Sequence, residues 1–160
     1  MLAVAILFLT VLSGCETPPL YQQDLKTFRA KGMSISLPEE FEQSELMGFD
    51  AAFDSPDVAV FVIKELFSEA DWADYTLQQY AELILQGNEE KNPSPITQTE
   101  GLTVFEHSSY NQLEQCTFQY LSVMFKGTDA FWLFQFTCDQ TNYQQYKPHF
   151  IKWAKTVSFS

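Results

Sequence analysis

The chain has 160 residues, of which 46% are hydrophobic and 16% aromatic, so it has ample apolar material for a buried core and is not a disordered chain. Its formal net charge of −12 excludes nucleic acid and anionic lipid head groups as electrostatic partners. Such an acidic surface suits solubility, or attraction to a basic protein or a cation.

The N-terminus carries the pattern of a bacterial lipoprotein signal peptide. Residues 2–12 are apolar apart from Thr10, a stretch shorter than the about 20 residues that a membrane-spanning helix needs. It ends in Leu12-Ser13-Gly14-Cys15, the lipobox pattern, in which small residues precede a cysteine whose thiol takes the lipid. The alternative is a buried N-terminal helix followed by an ordinary cysteine. A signal peptide normally has a lysine or arginine before its apolar stretch, and none is present here, so a start codon upstream of Met1 stays an alternative.

This pattern divides the chain into three parts. We expect residues 1–14 to be a removed signal peptide, residues 15–24 to be a lipidated cysteine with a short tether, and residues 25–160 to form a single domain. Acyl chains on Cys15 would anchor the protein to a membrane. Glu16 follows the cysteine where inner-membrane lipoproteins often have Asp, which favours the periplasmic side of the outer membrane. The expected location is therefore the bacterial cell envelope.

Alternating residues predict two hairpins. Residues 25–30 and 33–37 flank the turn Lys31-Gly32, and Pro38 ends the second strand. Residues 96–99 and 102–108 flank a similar turn at Glu100-Gly101.

The segment between the first hairpin and the first helix predicts two further strands. Residues 39–45 are an acidic connector, and Phe49, Ala51 and Phe53 then alternate with polar residues. Residues 58–63 are an unbroken apolar run, which is typical of a central strand covered on both faces. This strand requires helices above and below the sheet.

Two helices can supply that cover. Thr76 and Gln79 have capping-box spacing, and the helix should end at Gly87-Asn88. Thr141 and Gln144 repeat this spacing ahead of a second helix. Proline is tolerated in the first turn of a helix, so Pro148 favours a regular helix that begins near Lys147, with a looser turn before it. The apolar stripes are Leu77, Tyr80, Ala81 and Ile84 in the first helix, and Tyr143, Tyr146, Phe150, Trp153, Ala154 and Val157 in the second.

The remaining cysteines, Cys116 and Cys138, lie on two strands predicted over 116–125 and 130–138. If this hairpin folds about Gly127, the two sulfurs become direct cross-strand neighbours. An even pair in an exported protein predicts a disulfide, and the alternative is two free buried thiols.

Candidates for metal or catalytic chemistry are weak. Asp50, Asp54 and Asp57 surround a turn and could offer oxygen ligands to Ca²⁺, but their spacing is not that of a calcium-binding loop, so a solvated acidic turn is the favoured interpretation. Glu106 and His107 are adjacent on a strand, so they point to opposite faces and cannot form a triad; His107 is expected to be half-exposed. We therefore expect no enzymatic activity and no cofactor.

Four large apolar residues run consecutively on one strand, and these are Phe131, Trp132, Leu133 and Phe134. Either helices cover both faces of that strand or one face is a binding surface, and we expect coverage.

Four stretches of the chain carry a family resemblance, and these are residues 32–38, Thr76–Tyr80, Phe131–Phe136 and 146–159. Together with the order of elements, they resemble the PsbP-like family, which includes the photosystem II extrinsic protein PsbP, a Ran-binding nuclear-import factor and the bacterial DcrB proteins. The resemblance implies an α+β fold, an α/β/α sandwich whose central antiparallel sheet of about six to seven strands has helices on both faces. It also implies an accessory or assembly role through protein binding, and bacterial relatives are frequently lipoproteins.

Taken together, these features predict a membrane-anchored envelope lipoprotein that is a non-enzymatic protein-binding or assembly module. An envelope protein is the expected partner, reached from the lipid anchor on Cys15. The alternative is a lipoprotein that binds a small ligand or a cation such as Ca²⁺.

Overall fold

The computed structural model describes residues 24–88 and 92–160, which form ten strands and three α-helices in an α+β arrangement. The predicted signal peptide, Cys15 and nearly all of the tether therefore lie outside the described residues. The strands are β1 (Leu25–Ala30), β2 (Met33–Pro38), β3 (Glu42–Ser44), β4 (Ala51–Asp54), β5 (Val58–Leu66), β6 (Thr97–Thr99), β7 (Leu102–Asn111), β8 (Cys116–Lys126), β9 (Ala130–Asp139) and β10 (Ser158–Phe159). The helices are α1 (Phe67–Ala70), α2 (Leu77–Gln86) and α3 (Tyr143–Ala154), with a 3₁₀ turn over Trp72–Asp74.

Seven strands form one antiparallel sheet in the order β3-β4-β5-β9-β8-β7-β6, and β1-β2-β10 form a separate three-stranded sheet. The predicted antiparallel sheet with helices on both faces is confirmed, because α3 packs on one face and α2 on the other. The first predicted hairpin is also confirmed, but it belongs to the small sheet, which joins α3 on the same face of the large one.

The larger core lies between the large sheet and the layer made by α3 and the small sheet. Helix α3 contributes a stripe of buried residues at helical spacing, which are Tyr143, Tyr146, Phe150, Ile151, Trp153 and Ala154. The even-numbered residues of β5 and β9, such as Val60 and Phe134, meet this stripe from the sheet. The predicted helical stripe is confirmed in position and in orientation.

Strand β9 is the middle strand of the large sheet, and Phe131 to Phe134 are all buried. The predicted coverage of this aromatic run is therefore confirmed. Strand β5 is likewise an inner strand, but only Val58, Val60 and Val62 are buried, and the alternate residues of its apolar run are half-buried. The prediction of complete cover on both faces was wrong for β5, because α2 does not reach the start of this strand.

The starts of the two longer helices differ from each other. The Thr76 hydroxyl accepts a hydrogen bond from Gln79 N at 3.2 Å and the Gln79 side chain accepts one from Thr76 N, so the predicted capping box of α2 is confirmed. The second predicted box was wrong, because the Thr141 N–H donates instead to the Asp139 side chain at 2.8 Å and α3 begins at Tyr143. Pro148 lies inside α3 and cannot donate a hydrogen bond to the Gln144 carbonyl. Both residues are exposed, so water can reach this carbonyl.

Two short strands were not predicted. Strand β3 lies in the segment assigned to an acidic connector, and all of its residues are exposed. Strand β10 pairs with β2 through only Ser158 and Phe159. Neither strand has enough apolar alternation to be visible in sequence. Within the described part of the chain, no helix has both the length and the apolar character needed to cross a membrane.

A candidate binding groove on the open half of the sheet

The face of the large sheet that carries α2 has two unlike halves. One half is closed by the helix, and its buried core residues are Tyr80, Ala81, Phe105, Met124, Phe131 and Leu133. The other half forms a groove of about 500 Å³, which we call the sheet-face groove. Its lining residues are Ala59, Phe61, Ser109, Tyr110, Asn111, Gln112, Glu114, Phe118, Tyr120 and Thr137.

Strand register brings the groove floor together. Cross-strand partners lie on the same face of a sheet. Ala59 of β5 pairs with Thr137 of β9, and Thr137 pairs with Tyr120 of β8. The next row toward the end of the sheet pairs Phe118 with Asp139. Aromatic side chains from two inner strands therefore share one open surface.

Stacking holds the rings of this floor in place. The Phe61 ring stacks on Phe49 with centroids 4.8 Å apart, and the Tyr120 ring stacks on His107 at 4.6 Å and an interplanar angle of 5°. Tyr120 covers His107, which is only 3% exposed, so the prediction that His107 is half-exposed was wrong. Because Phe61 and Tyr120 are each supported by a second ring, this part of the floor is preorganised for contact.

The rim of the groove at the β7–β8 hairpin is exposed and partly apolar. Leu113 at the hairpin tip is 95% exposed, and Tyr110 at the edge of the groove is 59% exposed. Because Tyr110 pairs with Thr117, its side chain lies on the opposite face of the sheet from Phe118 and Tyr120. The Asn111 side chain accepts hydrogen bonds from the backbone N–H groups of Leu113 and Glu114, which fixes the tip. Large exposed apolar side chains beside an aromatic floor are typical of an interaction surface.

The charge at this end of the groove is negative. Glu114 is the charged residue of the lining, and Asp139 lies opposite Phe118. Hydrogen bonds from the Thr141 hydroxyl and backbone N–H hold the pKa of the Asp139 carboxyl below its usual range, so this group is ionised at neutral pH. Burial raises the pKa of the Tyr120 hydroxyl, a hydrogen bond with Thr137 opposes this shift, and the charge of Glu114 adds to it.

A second cleft of about 660 Å³ lies beside the loop between β3 and β4. Ala30, Lys31 and residues 43–51 line it. The loop exposes Met47 almost fully, at 97%, and Gly48 has a φ of +91°, a backbone conformation that favours glycine. This cleft has one lysine, one glutamate and one aspartate in its lining, and it lacks the row of aromatic rings that marks the sheet-face groove.

The structure does not bring the three candidate calcium ligands together. The Asp50 carboxylate accepts from Lys64 N at 2.7 Å, Asp54 accepts from the Ser44 hydroxyl at 2.8 Å, and Asp57 accepts from the Tyr146 hydroxyl at 3.3 Å. Residues 24–88 and 92–160 contain no group of three or more His, Cys, Asp or Glu side chains arranged to hold a metal ion.

Glu106 and His107 point to opposite faces of β7, as strand alternation requires. The Glu106 carboxylate accepts a hydrogen bond from Lys147 Nζ of α3 at 2.6 Å, and His107 lies on the groove side against Tyr120. The expectation that Glu106 cannot orient the His107 ring is therefore confirmed.

The predicted disulfide is not present, because Cys116 and Cys138 are both free thiols. The predicted register was wrong: Cys138 pairs with Gln119, and Cys116 pairs with Asn111 of β7. The hairpin turns around Thr128-Asp129, with Gly127 N–H donating to Ala130 O at 2.8 Å, and does not fold about Gly127 itself. This odd shift in register places the two thiols on opposite faces of the sheet.

Sequence reasoning missed the groove itself. Phe118 and Tyr120 alternate with the polar residues Thr117 and Gln119, which is the signal of a strand with one apolar face. The sequence does not reveal which part of the sheet α2 covers, and Phe118 and Tyr120 lie outside the cluster that packs against this helix.

Comparison with known proteins places the fold but not the function. No protein-family model matches the chain, and no curated protein matches it either. The chain is similar to the solution structure of cyanobacterial PsbP (CyanoP) from Synechocystis sp. PCC 6803, with a TM-score of 0.56 and 12% identity over 93% of this chain and 99% of that one. It is also similar to a crystal structure from Bacteroides thetaiotaomicron, with a TM-score of 0.52 and 13% identity over 84% of this chain and 48% of that one. The chain therefore has a PsbP-like fold.

Proposed function

We propose that the protein is a lipid-anchored component of a bacterial cell envelope that binds another protein through the sheet-face groove and has no enzymatic activity of its own. The observation that carries the binding role is the open half of the sheet, where the stacked rings of Phe61 and Tyr120 line one groove with the half-buried Phe118. The anchoring role rests on the Leu12-Ser13-Gly14-Cys15 sequence, which lies outside the described residues.

Three properties of the groove suit a protein partner. Aromatic side chains supply contact area with few rotatable bonds, and they are enriched in the centres of protein interfaces. The groove is surrounded by polar and charged residues at the hairpin tip, such as Gln112 and Glu114, which suits the polar rim of an interface. The stacked rings of the floor also reduce the entropy that binding would remove.

Site-specific photo-crosslinking in the native cell tests the binding role. A photoreactive aromatic amino acid at Phe118, on the groove floor, should yield one discrete crosslinked partner. The matched control is the same amino acid at Lys152, an exposed residue of α3 on the opposite face. Equal crosslinking from both positions, or none from Phe118, would contradict a binding role for the groove.

Metabolic labelling tests the anchor separately. With a clickable palmitate analogue, we expect label on the wild-type protein and none on the Cys15→Ala variant, which should also leave the membrane fraction. Retention of label and membrane association in Cys15→Ala would show that Cys15 is not the lipidated residue.

A further inference from the structure

The two halves of the sheet face that carries α2 differ in whether a lysine lies over their aromatic rings. In the covered half, Lys126 Nζ lies 5.4 Å from the ring centroids of both Phe67 and Phe131. The same ammonium group donates to the carbonyl oxygens of Ala73 at 3.1 Å and Tyr75 at 2.6 Å. An exposed lysine of the chain itself therefore places a cation over the aromatic rings of the covered half.

The open half has aromatic rings and negative charge but no such lysine. Its lining contains no lysine or arginine among the described residues, and Glu114 is its charged member. Asp139 adds a carboxylate beside Phe118 at the end of the same face. Rings and carboxylates in this arrangement complement a side chain that joins an apolar stem to a positive charge.

We propose that the sheet-face groove takes a basic segment of its partner protein, with a lysine or arginine lying against Phe118 and Tyr120 and its charge directed to Glu114 and Asp139. An apolar side chain of the same segment covers Phe61. This inference rests on the proposed protein-binding function and specifies the chemistry of the partner at that site.

Charge also argues against the other obvious occupant, a second copy of this chain. Each copy has a formal net charge of −12, so two copies meeting at an anionic rim would repel each other. A basic segment is attracted by the same charges, and long-range attraction to an acidic protein accelerates its association.

Peptide selection tests the inference. A display library of random short peptides is selected on the full-length wild-type protein, and the affinities of the enriched peptides are measured at increasing NaCl concentrations. We expect enriched peptides that are net positive and contain at least one large apolar residue, with affinities that fall as salt screens the rim.

Three variants identify the site. Phe118→Ser removes an aromatic ring from the groove floor and Glu114→Lys reverses the rim charge, and each should weaken binding by about tenfold or more. Glu82→Lys makes the same charge change at an exposed position of α2 that is not part of the groove lining, and it should leave affinity within about twofold. Thermal unfolding of each variant checks that the fold is retained.

The outcomes separate this inference from the proposed function. Peptides that need Phe118 but are neutral or acidic, and that bind Glu114→Lys as well as wild type, would overturn the basic-partner inference and leave the groove as a protein-binding site. Enriched peptides that are indifferent to both Phe118→Ser and Glu114→Lys would overturn the groove as the binding site altogether. Equal weakening by Glu82→Lys would show a general charge effect and overturn the inference.

Discussion

Gly127 occupies a position where even a methyl group is too large. A Cβ built at this residue would lie 3.1 Å from Trp132 Nε1 and 3.3 Å from the Ala130 carbonyl oxygen. Trp132 is buried and cannot move aside without disturbing the larger core. We therefore expect Gly127→Ala to lower the free energy of unfolding by about 1 to 3 kcal/mol in urea denaturation.

Gly87 provides the matched control for Gly127. It ends α2 in a right-handed conformation with a φ of −62°, and a Cβ there would make only ordinary contacts at 3.6 and 3.7 Å. Gly87→Ala should leave stability unchanged or raise it by up to about 1 kcal/mol, since alanine restricts the unfolded chain. If the two variants changed stability equally, the close contact with Trp132 would not be the cause.

The two thiols of the β7–β9 region should differ in reactivity. Cys138 is buried, and burial together with the charges of Asp139 and Asp57 raises its pKa to about 12. Cys116 is only half-buried, although its pKa is also raised. In a Cys15→Ser chain at neutral pH, we expect a thiol reagent to modify Cys116 first and Cys138 only after unfolding. Thiols that appear only after reduction would instead indicate a Cys116–Cys138 disulfide.

At the scale of the element, the start of α2 depends on one hydroxyl. Thr76→Ala removes the acceptor for Gln79 N and should destabilise the protein by about 1 kcal/mol in urea denaturation. Thr76→Ser keeps the acceptor and should stay within a few tenths of a kcal/mol of wild type. Loss of stability in both variants would mean that the threonine methyl group, and not the cap, is responsible.

The elements also show where sequence reasoning succeeds. Hairpins with glycine turns and alternating strands, such as Leu25–Pro38, were predicted nearly to their ends because local periodicity defines them. The capping box at Thr76 was confirmed for the same reason, since its partners lie within one helical turn. Strand β3 was missed because its exposed residues are held only by backbone pairing with β4.

Features that depend on relations between elements were harder to predict. The β8–β9 register follows from where the chain turns near Gly127. The predicted turn was misplaced, so each pair of residues predicted to share a face of the sheet, including the two cysteines, lies on opposite faces. The sheet-face groove depends on the reach of α2 across the sheet, which no local pattern encodes. The rings of Phe118 and Tyr120 were visible in sequence, but their exposure was not.

At the scale of the whole molecule, buried tyrosines make stability sensitive to alkaline pH. Burial and the nearby charge of Asp57 raise the pKa of Tyr146 from 10.0 to about 12, and burial with Glu65 or Glu106 also raises the pKa of Tyr80 and Tyr143. The folded state holds protons that the unfolded chain releases, so this stability is fully present below about pH 10 and declines above it.

Urea denaturation from pH 9 to pH 12 checks this expectation. The wild-type free energy of unfolding should fall across the interval from pH 10 to about 12, the window set by the raised pKa of Tyr146. The fall should be shallower in Tyr146→Phe, which has no phenol to titrate. Identical slopes in the two proteins would rule out Tyr146 as a contributor.

The pairing of β10 with β2 has a consequence for how the chain acquires its structure. The hydroxyls of Ser34 and Ser158 meet at 2.8 Å across a separation of 124 residues, and the Phe159 ring stacks on Trp132 at 5.0 Å. Contacts between such remote segments form late and slowly, because the intervening chain must first be brought together. Completion of the small sheet must therefore wait until residue 159 is available, and until then the Met33–Ser34 end of β2 has an unpaired edge.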